Sequence, residues 1–145
     1  MRRLAVPALV AVLLAGCGGS QLSSSDLHNQ ATHICQSAHS RSNRIPVPHD
    51  PSGGASFLRR GIAVLRPELR QLRALRAPGA SSSVYSSALA AFSQKLQIME
   101  STVGNLDRGA DPVTTFKTLE QQLSPVKAQE DGAWRALGIP ACTNQ

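Results

Sequence analysis

Apolar residues recur three or four positions apart in four segments of this chain, a spacing that places them on one face of an α-helix. We predict a first helix from Asp26 to about Ser40, with Ser25 as its N-cap. Its apolar face comprises Leu27, Ala31, Ile34 and Ala38. We predict a second helix from about Ser56, and its apolar face comprises Leu58, Ile62, Leu65, Leu69 and Leu72.

The third predicted helix, from about Ser83 to Leu106, has the most regular pattern. Its apolar residues fall at the a and d positions of a heptad repeat: Tyr85, Leu89, Phe92, Leu96, Met99, Val103 and Leu106. The fourth begins with Asp111 as N-cap and Pro112 at the first helical position, and it ends before Gly138. Its apolar face comprises Phe116, Leu119, Leu123, Val126, Ala133 and Leu137. Glu130 interrupts that face, which we interpret as the end of burial or a change of register.

Prolines mark both the turns and two helix interiors. Residues 41–55 contain three prolines and two adjacent glycines and are predicted to form a long loop. Pro67 and Pro125 fall inside the second and fourth helices, where a proline removes a hydrogen bond and costs about 3 kcal/mol. We therefore predict an all-α fold, an antiparallel four-helix bundle with proline kinks in helices two and four, and a kink or break near Leu65.

The N-terminus has a different pattern. Arg2 and Arg3 precede an apolar run of eleven residues, 4–14, which is too short to span a hydrocarbon core of about 30 Å. The sequence Leu14-Ala15-Gly16-Cys17 follows and resembles the lipobox of bacterial lipoproteins. That resemblance implies that Cys17 receives a diacylglyceryl group and that the chain is cut before it. The alternatives are an ordinary signal peptide and a buried apolar helix with an incidental cysteine.

The lipobox divides the chain into three parts: residues 1–16 as a cleaved signal peptide, 17–25 as the lipid anchor and a short tether, and 26–145 as the helical domain. Two acyl chains anchor a protein stably, so the resemblance implies a place on the extracytoplasmic face of the cell membrane. Arginines outnumber lysines twelve to three, a bias typical of high-GC genomes. The helical domain is similar in style to small helical lipoproteins of actinobacteria.

The chain has three cysteines. If Cys17 is lipidated, Cys35 and Cys142 remain, and thiols outside the cytoplasm tend to form disulfides. Such a bond would close a loop of more than a hundred residues, for which the chain-entropy model gives roughly 4–5 kcal/mol. The alternative is a pair of free or metal-binding thiols.

Charge is concentrated on the second helix. The net charge of +6 becomes +4 once Arg2 and Arg3 are removed with the signal peptide. The second helix and its end carry Arg59, Arg60, Arg66, Arg70, Arg73 and Arg76 against the single acid Glu68. We favour a solvated polar face, and the functional alternative is contact of Arg59, Arg66, Arg70 and Arg73 with anionic lipid headgroups or an acidic envelope protein. Nucleic acid is an unsuitable partner because no stacking aromatics accompany the arginines.

No pattern of catalytic or metal-binding residues stands out. The histidines are His28, His33, His39 and His49, and the first two are separated by about 140° around a helix, so they do not converge on a metal. No nucleophile elbow or phosphate-binding glycine loop occurs. We therefore expect no enzyme activity, no cofactor and no metal.

Two functions are compatible with these observations. The first is a membrane-anchored, non-enzymatic binding or scaffold module at the cell envelope. The alternative is a small carrier of an apolar ligand or lipid, held in a gap that the two proline-interrupted helices would leave within the bundle.

Overall fold

The structure is a computed structural model that describes residues 21–143. Most of these residues are helical. The four α-helices within that range are α1 (Ser24–Ser42), α2 (Gly54–Ala74), α3 (Ser82–Asp107) and α4 (Pro112–Ala136). Short 3-10 turns precede α2 and α3 and follow α4, at Pro51–Gly53, Gly79–Ser81 and Pro140–Cys142. Residues 21–143 contain no strand, which confirms the all-α helical bundle. The predicted signal peptide and Cys17 lie outside the described residues.

The helix ends show where local signals act. The backbone N–H of Asp26 donates to the Ser23 side chain at 3.0 Å, so α1 starts at Ser24 and the predicted cap at Ser25 is wrong. Asp111 caps α4 as predicted and accepts from the backbone N–H of Thr114 at 2.9 Å, which also lowers the pKa of that carboxyl. Beyond α4, Gly138 has a φ of +70°, the left-handed conformation that glycine adopts at helix C-termini.

The interior prolines do not divide their helices. α2 is continuous through Pro67 and α4 through Pro125, so the predicted break near Leu65 is wrong and the kinks are not confirmed. In α2, Leu65 and Leu69 on either side of the proline are both buried. Because apolar packing continues on both sides, it holds the helix together despite the missing hydrogen bond.

Successive helices are antiparallel and pack against each other in chain order. The backbone N–H of Leu22 donates to the carbonyl of Arg76 at 3.0 Å, which joins the start of α1 to the end of α2. At the opposite end, Asp107 in the last turn of α3 pairs with Arg59 in α2. We call the end with Leu22 and Arg76 the N-terminal end, and the end with the 43–53 connection the loop end.

Apolar faces form the core much as their spacing predicts. All five predicted apolar residues of α2 are buried. Five of the seven in α3 are also buried, namely Tyr85, Phe92, Leu96, Met99 and Val103. In α1, Cys35 is buried and Ile34 only partly so. In α4 only Leu119 and Val126 of the predicted set are buried, and the rest of its buried face comprises Glu130, Asp131 and Trp134. α4 is therefore the helix whose inward face departs most from the prediction.

Candidate functional site

A buried ion pair lies between α3 and α4. Lys95 and Glu130 are 4% and 2% exposed, so both charges are removed from water. The Lys95 Nζ donates to Glu130 Oε1 at 2.9 Å and lies 2.8 Å from Oε2. Glu130 therefore belongs to the core, and its interpretation as the end of burial is wrong. Beyond it the buried position is Trp134 and not the predicted Ala133, a shift of one residue.

Aromatic rings surround this pair and connect it to α2. The Lys95 Nζ lies 4.3 Å from the centroid of the Phe92 ring, a cation–π contact. The Trp134 ring packs edge-on against Tyr85 with centroids 5.8 Å apart. The Tyr85 hydroxyl donates to the carbonyl of Leu72 at 2.7 Å. A continuous set of polar and aromatic contacts thus crosses the bundle from α4 through α3 to α2.

Burial dominates the electrostatics of this cluster. It raises the pKa of the Glu130 carboxyl, and the opposing charge and hydrogen bond of Lys95 offset only part of that rise. The indole N–H of Trp134 also favours the charged carboxylate, although it has no hydrogen bond of standard geometry. Burial raises the pKa of the Tyr85 hydroxyl as well. Since these groups are buried, the contacts that they make are contacts between helices.

The arginines of α2 fall into two groups. Arg66 pairs with Glu100 of α3 at 2.6 Å, and Arg59 pairs with Asp107. Arg70 and Arg73 are exposed and form no ion pair within residues 21–143. The structure therefore separates the four arginines that the sequence grouped, because two of them have acidic partners on a neighbouring helix.

The one acid that the sequence placed among the arginines lies on a different face. Glu68 is completely buried, so it does not belong to the exposed surface of α2. Two acids of α3, Glu100 and Asp107, pair with Arg66 and Arg59. The sequence of α2 alone therefore does not show which acids face its arginines.

Cys35 and Cys142 form a disulfide, as predicted. Their Cα atoms are 5.1 Å apart, and the bond joins the middle of α1 to the 3-10 turn that follows α4. Both residues are buried. The bond excludes the alternative of two free or metal-binding thiols and closes the bundle between its first and last elements.

An apolar groove opens at the loop end, with a volume of about 460 Å³. Val47 and Val113, which line it, are 74% and 64% exposed and are the only large hydrophobic residues of the described chain so exposed. Phe57 and Phe116 form its floor, and Phe116 packs so closely on Gly54 that a Cβ there would overlap its ring. This groove therefore presents exposed apolar side chains at the surface of the bundle.

A second, polar groove of about 410 Å³ lies beside the turn between α3 and α4. Its lining includes Ser101, Thr102, Asn105, Arg108 and Thr118 but no carboxylate, histidine or cysteine. It therefore has neither an acid–base pair nor a set of metal ligands.

The histidines lie apart on the surface. His28, His33, His39 and His49 are all exposed, and residues 21–143 contain no group of three metal-binding side chains. In the same range, no helix has the length and apolar character needed to cross a bilayer. The space between the helices is filled by large side chains, among them Trp134, Phe92 and Leu72.

Neither a protein-family model, nor a curated protein, nor a solved structure matches this chain. A functional assignment therefore rests on the residues and geometry of the chain itself.

Proposed function

We propose that this chain is a lipid-anchored protein on the extracytoplasmic face of the cell membrane, and that its bundle is a non-enzymatic binding or scaffold module. The observation that carries the proposal is the Cys35–Cys142 disulfide. The chain has three cysteines, so that bond leaves Cys17, in its lipobox-like setting, as the remaining thiol. Structural disulfides also persist mainly outside the cytoplasm, which supports export.

The position of the N-terminus supports the same proposal. α1 begins at Ser24, so only six residues separate it from Cys17. A lipid on Cys17 would therefore hold the N-terminal end of the bundle close to the bilayer, and the loop end would face away from it.

Metabolic labelling with radiolabelled palmitate in a bacterial host tests the anchor. We expect label and membrane association for the unmodified protein and loss of both in Cys17→Ala. The matched control is the double variant Cys35→Ala/Cys142→Ala, which changes the other two cysteines and should keep the label. Equal labelling of Cys17→Ala and the unmodified protein would refute the anchor.

The apolar groove at the loop end supports the binding role. α2 has 21 residues, so at 1.5 Å per residue its two ends are about 30 Å apart. The groove would therefore lie far from the bilayer, where another envelope protein with an apolar side chain at its surface is the occupant in reach.

Site-specific photocrosslinking in cells tests this role. A photoreactive amino acid at Val113 should give a discrete crosslinked product, whereas the same probe at the exposed Gln121 of the same helix should not. Crosslinking only to lipid, or identical products from both positions, would contradict a protein partner at the groove.

A further inference from the structure

We infer that Arg70 and Arg73 bind anionic lipid headgroups of the bilayer to which the chain is anchored, and that Arg59 and Arg66 do not. This inference rests on the proposed anchor at Cys17 and adds a second, electrostatic contact that orients the bundle. It narrows the basic surface of α2 to the last two turns of the helix, which lie nearest the membrane.

The first step is the length of the tether. The hydrogen bond between Leu22 and the carbonyl of Arg76 attaches residue 22 to the end of α2. Five residue steps connect Cys17 to Leu22, and an extended chain covers at most about 3.6 Å per step. Leu22, which is hydrogen-bonded to Arg76 two residues beyond α2, therefore lies within about 18 Å of the lipidated residue, whatever path those five steps take.

The second step is the position of each arginine along α2. At 1.5 Å per residue, Arg70 is about 5 Å from Arg73 along the axis, Arg66 about 10 Å and Arg59 about 21 Å. The electrostatic screening length at physiological salt is about 8 Å. Arg70 and Arg73 can thus share the field of one charged surface near the N-terminal end, and Arg59 is beyond it.

The third step is the distribution of acids. The stretch of α3 from Ser82 to Met99 contains no acidic residue, and this stretch starts at the N-terminal end. Glu100 and Asp107 come later in α3 and neutralise Arg66 and Arg59. Arg70 and Arg73, the two arginines of α2 nearest the tether, thus have no ion pair within residues 21–143, whereas Arg66 and Arg59 farther along the helix do, which matches an anionic surface on the N-terminal side. Arg60 is also exposed, but it lies near the loop end.

Residue-resolved footprinting tests the contact directly. The full chain is reconstituted in vesicles of phosphatidylcholine alone or with about a third phosphatidylglycerol, treated with phenylglyoxal, and analysed by mass spectrometry. We expect modification of Arg70 and Arg73 to be at least about threefold slower in the anionic vesicles. Arg44 and Arg60, exposed near the loop end, serve as internal controls and should react at the same rate in both.

Vesicle partitioning of two charge-matched variants provides the second measurement. Each arginine at an anionic surface contributes about fivefold to binding. The preference for anionic over neutral vesicles should therefore fall about 25-fold in Arg70→Gln/Arg73→Gln and change little in Arg44→Gln/Arg60→Gln. Equal losses in the two variants would show a general effect of net charge and would overturn the inference.

Other results of these two experiments would also refute the contact between the arginines and the headgroups. Unprotected Arg70 and Arg73 on vesicle-bound protein, or failure of the chain to prefer anionic vesicles, would refute the headgroup contact. Protection that requires an added acidic protein instead of phosphatidylglycerol would do the same. The intact mass of each sample reports whether Cys17 carries lipid, so failure of the anchor is distinguished from failure of the contact.

Discussion

α3 packs against α2 on one side and against α4 on the other, and charged residues occupy different places at the two contacts. At α2, the Arg66–Glu100 pair lies on the rim, with side chains 58% and 42% exposed. At α4, the Lys95–Glu130 pair lies in the interior, with side chains 5% and 2% exposed. At the first contact a buried neutral hydrogen bond joins the Tyr85 hydroxyl to the carbonyl of Leu72, whereas the second has an ion pair in its interior.

The exposure of an ion pair therefore governs how much its loss changes the stability of the fold. Water and salt screen the pair at the rim, so such pairs contribute roughly 0–1 kcal/mol. In the interior, each charge depends on its partner because water cannot replace it, and losing one partner costs about 3–5 kcal/mol. The α3–α4 contact should therefore be sensitive to single charge changes that the α2–α3 contact tolerates.

The largest effect is expected from Glu130→Ala. This change leaves the Lys95 ammonium buried without its partner, and we expect the free energy of unfolding to fall by about 3–5 kcal/mol in urea titrations followed by circular dichroism. The matched control is the double variant Lys95→Met/Glu130→Leu, which removes both charges and should be much closer to the unmodified protein. A loss below about 1 kcal/mol in Glu130→Ala would show that the buried pair is no more sensitive to the loss of one partner than the exposed Arg66–Glu100 pair.

On the other side of α3, a comparable effect should come from an apolar residue. Leu72 is fully buried at the contact of α2 with α3. Leu72→Ala removes packed methyl groups and leaves a cavity, so we expect a loss of about 2–4 kcal/mol in the same titrations. Leu72→Met, which roughly conserves volume, should cost less than about 1.5 kcal/mol. If both variants were equally unstable, side-chain volume would not explain the stability of this contact.

A smaller effect should appear as a dependence on pH. The pKa of Glu130 is raised by burial above its ordinary value of 4.5. At pH values between 4.5 and the raised pKa, the folded protein retains a proton on Glu130 that the unfolded chain has lost. The free energy of unfolding therefore falls as the pH rises through this range. The stability of the unmodified protein relative to Glu130→Gln should therefore decline as the pH rises above about 4.5. A relative stability that rises over this range would show that Lys95 lowers the pKa of Glu130 below its ordinary value.

An effect of about 1 kcal/mol is expected from Tyr85→Phe. The change removes the hydroxyl that donates to the carbonyl of Leu72 and keeps the ring that packs against Trp134. Thermal unfolding should show a modest decrease in the midpoint. Tyr85→Leu, which also removes the ring contact, should lower it further; equal midpoints for the two variants would assign no stability to the edge-on ring contact.

The smallest effect should come from the rim pair. Arg66→Gln, Glu100→Gln and the double variant form a double-mutant cycle, from which we expect a coupling free energy of at most about 0.5–1 kcal/mol that disappears at high salt. A salt-independent coupling as large as that of Lys95 with Glu130 would remove the distinction between the two contacts.

Much of the helical framework could be predicted because its signals are local. The five apolar positions of α2 share a face through helix geometry alone, and all five are buried. The Asp111 cap and the glycine stop at Gly138 each act within about one turn. The cap of α1 is less well determined, because Ser23, Ser24 and Ser25 are adjacent and all are suitable N-cap residues. The structure uses Ser23, whose side chain meets the N–H of Asp26.

The candidate site was much less accessible from the sequence. Lys95 and Glu130 are 35 residues apart, and the sequence pattern singles out only Glu130, as an interruption of the apolar face of α4. A usable signal did exist: both residues fall on the inward faces of consecutive helices and carry opposite charges, with Lys95 three residues after Phe92 and four before Met99. The arginines of α2 were likewise grouped by helix, although Glu100 and Asp107 on α3 separate them.

Local sequence patterns predict the four helices, their order and most of the residues that α2 and α3 bury, because hydrophobic spacing and capping depend on neighbours within a few positions. With the count of cysteines, the sequence also predicted the Cys35–Cys142 bond. Contacts between helices, which the local pattern does not show, pair Glu130 with Lys95 in the core and give Arg59 and Arg66 their acidic partners. Packing on both sides of Pro67 likewise keeps α2 continuous. Those outcomes depend on which groups the packed helices bring within a few ångströms and on how much water remains between them.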